Sequence, residues 1–191
     1  VSAAPGAPSA AIASIKLVRP VWTGDRATLR PLVEAEVTEA YAAGLNHPDV
    51  ARFVEAAKRE RQTVETVTAF VRANAADPAS VLFGIHVDGA LRGTVRLHDA
   101  TPTGEAWVGI ALFDRSAWGR GVASGALSLL AAKAGDLLSL RLLRAGIDPA
   151  NEGSRRAFAK AGFRLAGLRT LAGGGAAETW ERRCAAPERD A

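Results

Sequence analysis

The sequence predicts an α/β (α+β) fold: a mixed, mostly antiparallel sheet of about 6–7 strands with about 4 helices and a parallel pair at its centre. Three features carry that expectation. Asp88-Gly89 stands between two runs of alternating apolar and polar residues, the signature of a two-residue type I′ hairpin. A third run, Ala106 to Phe113, leads through a short polar link into Trp118-Gly119-Arg120-Gly121-Val122-Ala123 and a helical pattern. From there the order is strand, helix, strand, helix, strand, and a helical crossover makes the strands that it joins parallel. With 191 residues, 48% of them apolar, the chain has the size and content of one domain with a full core.

Residues 1–14 are Ala, Ser and Pro with one Gly and two larger aliphatics, without the basic start and apolar stretch of a secretory signal. A flexible leader over 1–20 is expected, then a single domain over 21–183 and a frayed tail over 184–191. Asp25 to Leu32 alternates as a first strand, which Pro31 ends or places at an edge. Glu34 to Leu45 reads as a helix stopped by Asn46-His47-Pro48. Thr63 caps a second helix to Ala76, with Val64, Val67, Phe70 and Val71 as its apolar stripe.

The hairpin follows, Val81 to Val87 and Ala90 to His98. If Val87 faces Ala90, then Phe83 lies opposite Thr94, Gly84 opposite Gly93 and Val81 opposite Arg96. Thr101-Pro102-Thr103-Gly104 turns the chain into Glu105 to Phe113, completing a three-strand meander. Gly121 to Ala134 is a helix stopped by Gly135, and Leu138, Leu140 and Leu142 alternate in the next strand. Asn151 to Ala161 is a short helix with Ala157, Phe158 and Ala161 inward and Gly162 as its stop. Phe163 to Leu168 and Ala177 to Arg183 are the last strands, joined by the Gly173-Gly174-Gly175 loop.

Composition narrows the partners. A net charge of +4, from 24 basic and 20 acidic residues, is too mixed for a nucleic-acid binder but helps attract a polyanion. The apolar runs fall far short of the roughly 20 residues of a membrane span, so no membrane partner is expected. Cys184 has no partner for an intrachain disulfide, which suits a reducing compartment, the cytoplasm by default. No His, Cys and carboxylate cluster has metal-ligand spacing, and no metal is expected.

The glycine loop is a phosphate site in physical terms. Glycines let an anion approach the backbone, and the first turn of a helix leaves N–H groups unpaired at the positive end of its dipole. A dinucleotide fingerprint needs its third glycine one residue before Gly125, and a Walker loop needs a Lys-Ser or Lys-Thr pair that is absent. What remains is an anion nest reached from a mixed sheet.

Four motifs in order give the chain a resemblance to a known family. They are Thr23-Gly24-Asp25-Arg26 leading into Leu29-Arg30-Pro31-Leu32, then Asn46-His47-Pro48-Asp49-Val50, then Trp118 to Ala123, and last Asn151-x-x-Ser154 before Lys160-x-Gly162-Phe163. From roughly Asp25 to Arg183 the chain resembles the GCN5-related N-acetyltransferases (GNAT), in the branch that includes the ribosomal-protein N-terminal acetyltransferases. The resemblance implies acetyl-CoA as the acetyl donor. It implies that Gly119, Arg120, Gly121, Val122, Ala123 and Ser124 cradle the pyrophosphate, with Trp118 where the family often has Gln or Arg. The pantetheine arm would lie against Leu112 and Phe113, in the gap before the Leu138 to Ile147 strand. Asn151 would bond the arm or the acetyl end, or serve as a helix N-cap.

Transfer to an amine needs a neutral amine, a donor for the thioester oxygen and an acid for the departing thiolate. The family suggests a backbone N–H near Ile110 to Leu112 as that donor. Many members place a Tyr where this chain has Phe158, which cannot donate a proton. Ser154, one turn earlier, is then the candidate acid, its alternative being a hydroxyl bonded to backbone. Glu105 leads as base, ahead of His98 and Asp99, although a strand-end carboxylate equally reads as solvated. His86 reads as a half-buried structural histidine.

The expected activity is acetyl transfer to a primary amine, either a protein N-terminal α-amine or a small-molecule amine such as an amino-sugar or antibiotic. A non-catalytic acyl-CoA-binding or sensing module is the other reading. The Thr63 to Ala76 helix, the Lys58-Arg59-Glu60-Arg61 loop and the Gly173 to Gly175 loop are expected to border the acceptor cleft, and a homodimer is left open.

Overall fold

A computed structural model describes residues 8–170 and 175–184. Its helices are α1 (Pro8–Val18), α2 (Glu39–Asn46), α3 (Pro48–Ala51), α4 (Glu55–Arg59), α5 (Val64–Ala76), α6 (Val122–Leu138) and α7 (Glu152–Lys160). Its strands are β1 (Trp22–Thr23), β2 (Thr28–Pro31), β3 (Val81–Val87), β4 (Ala90–His98), β5 (Glu105–Ala111), β6 (Leu142–Ile147), β7 (Arg164–Thr170) and β8 (Ala176–Arg183). They form one sheet in the order β1-β2-β3-β4-β5-β6-β8-β7, and β5 with β6 is its only parallel pair among the described residues. The mixed sheet is as expected. Its eight strands and seven α-helices exceed the expected counts because short elements, β1, α3 and α4 among them, carry too few residues to show a period.

One face of the sheet buries α6, whose Leu127, Leu130 and Leu138 are fully buried among Phe83, Ile85, Leu97 and Leu143. Each such side chain contributes roughly 1.5–3 kcal/mol of burial. The same face explains why α6 runs past Gly135, the expected stop. Ala131, Ala134 and Leu138 continue the buried stripe, which outweighs the cost of about 1 kcal/mol for a glycine inside a helix. The helix ends instead at Ser139, with φ 55°, so Leu138 and Leu140 precede β6 and are not part of it. On the other face Tyr41, Leu45, Val50, Val67 and Val71 cover Leu82 and Phe113.

Several expected elements shift. Residues 8–18, assigned to the flexible leader, form α1, with Ile12 and Ile15 in the α6 core and the Lys16 ammonium donating to the carbonyls of Asn74, Ala75 and Asp77. The expected Glu34 to Leu45 helix is broken into a short 3-10 turn, Glu34–Glu36, and α2, whose N-cap Thr38 accepts from the Tyr41 N–H. The strand expected over Asp25 to Leu32 is β2, only Thr28 to Pro31. In the hairpin, Asp88 and Gly89 both take positive φ, as a type I′ turn requires. Val87 does face Ala90, but an irregularity at Ile85/His86 advances the register by one, so Gly84 faces Thr94, Phe83 faces Val95 and Val81 faces Leu97. The bulge therefore turns Phe83 and Val95 toward the same core. Of the Gly173-Gly174-Gly175 loop, only Gly175 lies within the described residues.

Candidate active site

The parallel pair opens. β5 and β6 are in register at Glu105↔Leu142, Ala106↔Leu143 and Trp107↔Arg144 and no further, while β6 continues to Ile147 against β8 alone. Past Trp107, the β5 edge facing β6 therefore has no strand partner, and backbone groups left this way need another hydrogen-bonding partner. A cleft of about 590 Å³ occupies the opening, lined by Ile110, Ala111 and Leu112, by Trp118 to Ser124 except Arg120, and by Ala150 to Ser154. It draws on both sides of the sheet, with Val122 and Ala157 from one and Val50 and Val54 from the other. The Leu112 carbonyl, on its rim, accepts from the Trp118 indole N–H at 3.0 Å.

At the foot of the cleft lies the glycine loop. Gly119 (φ 71°) and Gly121 (φ 77°) are left-handed, and Gly121 is the N-cap of α6. A Cβ on Gly119 would meet nothing within 4 Å, and one on Gly121 only the Ser124 Oγ at 3.8 Å. These glycines thus serve conformation and leave the space above the loop open. The loop continues into a second hollow of about 540 Å³, lined by Arg26, Gly119, Arg120, Gly121, Ser124, Gly125, Ser128 and Lys160. Among the described residues three cations and no carboxylate line it, beside the N-terminus of a 17-residue helix. Arg26 and Lys160 had no assigned role in the sequence reading. Gly125 held the clue for Arg26, because a Cβ there would stand 2.7 Å from the Arg26 Cβ: the missing side chain lets the arginine cross the first turns of α6.

The wall across from the loop is the start of α7. Asn151 is its N-cap, its Oδ1 accepting from the Ser154 N–H at 3.0 Å, so the capping role exists alongside its place in the cleft lining. The Ser154 hydroxyl lines the cleft and has no protein hydrogen-bond partner among the described residues. Phe158 is buried edge-on against Phe163, with centroids 4.9 Å apart. No other phenol can take its place, since Tyr41 is the chain's single tyrosine. It is buried and stacked on Phe113, and desolvation pushes its pKa to about 12. Burial likewise raises the Cys184 thiol to about 11, far from a reactive thiolate.

The Asn46-His47-Pro48-Asp49-Val50 motif builds the upper wall. His47 caps α3, its Nδ1 accepting from the Asp49 N–H, and Arg115 in the Arg115–Ala117 3-10 turn reaches the His47 Nε2 at 3.1 Å and Asp49 at 3.3 Å. This ties α3, with Asp49, Arg52 and Phe53 on the cleft, to the segment leading into the glycine loop.

Three assignments change. Phe113 does not line the cleft: β5 ends at Ala111, and Phe113 turns into the second core against Tyr41, with centroids 4.0 Å apart. Glu105 is not brought to the site. It lies at the closed, paired end of β5, its Oε2 accepting from Arg144 at 2.6 Å, and Arg144 also reaches Glu181. His98 and Asp99, bonded to each other, share that end, with His98 opposite Trp107. Finally, α5 and the Lys58 to Arg61 stretch are absent from the cleft lining, where α3 stands instead. His86 is more buried than expected, with its Nε2 shared between Glu36 and Arg30.

An open strand edge, a glycine loop at a helix N-terminus and a cleft through the sheet meet at one place in the fold. The acetyltransferase (GNAT) domain model matches residues 26–164, and the chain belongs to that family of acyltransferases. A search of curated proteins returns no match. Solved structures share the fold at low identity. Mycobacterium smegmatis RimJ in complex with CoA-disulfide is 21% identical over 82% of this chain and 81% of its own, with TM-score 0.70. RimL, a ribosomal L7/L12 α-N-protein acetyltransferase solved with coenzyme A, is 16% identical over 86% and 98%, with TM-score 0.77. The aminoglycoside acetyltransferase AAC(6')-Ib, also with coenzyme A, is 18% identical over 81% and 93%, with TM-score 0.69.

Proposed function

We propose that the protein transfers the acetyl group of acetyl-CoA to a primary amine by direct attack on the thioester. The unpartnered β5 edge running into the glycine cradle carries this reading. It offers backbone hydrogen bonds to an extended arm and N–H donors to a diphosphate at one end of the same cleft. The open space above Gly119 and the cations Arg26, Arg120 and Lys160 suit the phosphates. Bound there, acetyl-CoA would supply an activated acyl carbon. The amine nitrogen bonds to that carbon as the carbon–sulfur bond breaks, and CoA leaves as a thiol with the equivalent of the proton that nitrogen sheds. A backbone N–H of Ile110 to Leu112 would donate to the thioester oxygen, and the Ser154 hydroxyl would hand its proton to the sulfur and regain one shed by the amine.

The carboxylates on the cleft, Asp49 and Glu152, are engaged by Arg115 and Arg156. That favours an acceptor needing little base catalysis. An α-amine of pKa about 7.7–8.0 is neutral in roughly a tenth of molecules at pH 7, whereas a lysine amine near 10.4 is almost wholly protonated. We therefore favour an α-amine, as at a protein N-terminus. Phe158, in place of a proton donor, is the observation that favours a non-catalytic acyl-CoA-binding module.

The test follows thiol release from acetyl-CoA with α-amino peptides, amino-sugars and simple alkylamines. Peptides are expected to turn over, and Ser154→Ala to lower kcat by about 10²–10⁴-fold with CoA affinity kept. CoA binding without turnover of any amine, in wild type and variant alike, establishes the binding-module reading.

A further inference from the structure

The sheet face opposite α6 and α7 carries small and charged residues over β5 to β8. Gly109 on β5 and Gly146 on β6 flank the opening just past the last paired residues, Trp107 and Arg144. Gly146 is exposed, and a Cβ on Gly109 would meet nothing within 4 Å. Neither glycine carries a side chain, and we call this stretch of the face beside the opening the basin. Strand register places Arg96 opposite Gly109, but its side chain runs the other way, stacking on Phe70 and donating to the Ser80 Oγ at 3.1 Å.

The far rim is Arg169. From β7, opposite Ala177, it reaches across the sheet until its Nη2 is 2.9 Å from where a Cβ on Gly146 would be. Its guanidinium lies 5.0 Å from the centre of the Trp107 ring. A cation held over an indole face keeps its in-plane N–H donors free to bind. Arg169 is exposed and forms no salt bridge among the described residues, unlike Arg144, which two carboxylates engage. The nearby carboxylates Glu105 and Glu181 both bond Arg144, and Asp99 bonds His98.

We propose that this basin selects an acidic acceptor: a peptide α-amine with a carboxylate on the neighbouring residue, held by the Arg169 guanidinium while the amine enters the opening. The proposal rests on acetyl transfer to an amine, because it fixes which end of the acceptor points into the cleft. Trp107 positions Arg169, and Gly146 keeps its path clear. Polycationic amino-sugars are disfavoured, since they would place ammonium groups beside Arg169.

Calorimetry with two C-terminally amidated peptides, Ser-Glu-Ala-Ala and Ser-Gln-Ala-Ala, tests this on the full chain with and without CoA. The glutamate peptide is expected to bind about tenfold more tightly at low salt, equivalent to about 1.4 kcal/mol. Arg169→Gln should bring the ratio near one without changing the glutamine peptide's Kd, and Arg169→Lys should recover part of it. Equal binding by wild type, a preference surviving Arg169→Gln, or binding of neither peptide overturns the proposal. Turnover is not the readout. An Arg169-dependent preference in a protein that acetylates nothing would uphold the basin and remove the transfer reading.

Discussion

Gly121→Ala separates the conformational from the ligand role of the glycine loop. At φ 77° an alanine is left-handed, and its Cβ would have only the Ser124 Oγ near, at 3.8 Å. Its folding penalty is therefore conformational, about 1–2 kcal/mol. For a domain of this size that lowers Tm by roughly 2–8 °C. The same methyl projects into the space where a phosphate would meet the first N–H groups of α6. Loss of one charge-assisted hydrogen bond, about 1.5–3 kcal/mol, corresponds to roughly 10–150-fold in the Kd for CoA.

Gly125→Ala is the control, since it leaves the loop backbone alone but would push on Arg26, 2.7 Å from the new Cβ. Calorimetry with CoA, beside thermal melts with and without it, should rank CoA affinity as wild type, then Gly125→Ala, then Gly121→Ala. CoA at 100 times its Kd should stabilise wild type by about 2.7 kcal/mol, and Gly121→Ala by correspondingly less at that concentration. Wild-type CoA affinity in Gly121→Ala would refute the reasoning, because the backbone would then not be the anion's partner.

Glu105→Gln should leave kcat/KM within about twofold in the thiol-release assay, since the carboxylate serves Arg144 at the closed end of β5. Lys16→Met should lower the unfolding free energy read from urea titration by about 1–2 kcal/mol, because it uncaps the last carbonyls of α5. The Asp114 carboxyl lies below its usual 3.8, held chiefly by its hydrogen bond to Ser116 and also by Arg92. A depressed carboxylate stabilises the fold above its unfolded pKa and loses that contribution as pH falls through its folded pKa. Asp114→Asn should therefore flatten the urea midpoint's dependence on pH below about pH 4, and an unchanged acid limb would count against the assignment.

Local chemistry made much of the fold legible. Asp88-Gly89 specified its turn, Thr63 its cap and Gly162 its helix stop, because each acts through its own backbone. The misses needed tertiary information. Gly135 is a poor helix residue, yet the buried stripe through Leu138 carries α6 past it. The bulge at Ile85/His86 follows from matching Phe83 and Val95 to one core, which the turn alone does not reveal. α1 is short and weakly patterned, and its helix rests on Ile12 and Ile15 meeting α6. Gly119 to Ser124, Asn151 and Ser154 line two adjoining hollows, whereas Arg26 and Arg169 arrive from distant segments and only glycines opposite them betray their paths.

The misplacement of Glu105 was avoidable on strand polarity alone. The glycine loop follows the C-terminal end of β5, so a ligand whose phosphates sit on that loop must run along the same end of the strand. Glu105 begins β5 and Ile110 lies five residues on, roughly 17 Å at about 3.3 Å per residue. No carboxylate side chain spans that distance. The parallel partner strengthens the point: β6 closes against β5 at Glu105 to Trp107 and leaves it afterwards, so the reacting atoms must lie beyond Trp107. The acceptor must then be recognised by whatever projects over Gly109 and Gly146. On the open face Arg169 does so over Gly146, and it is a cation.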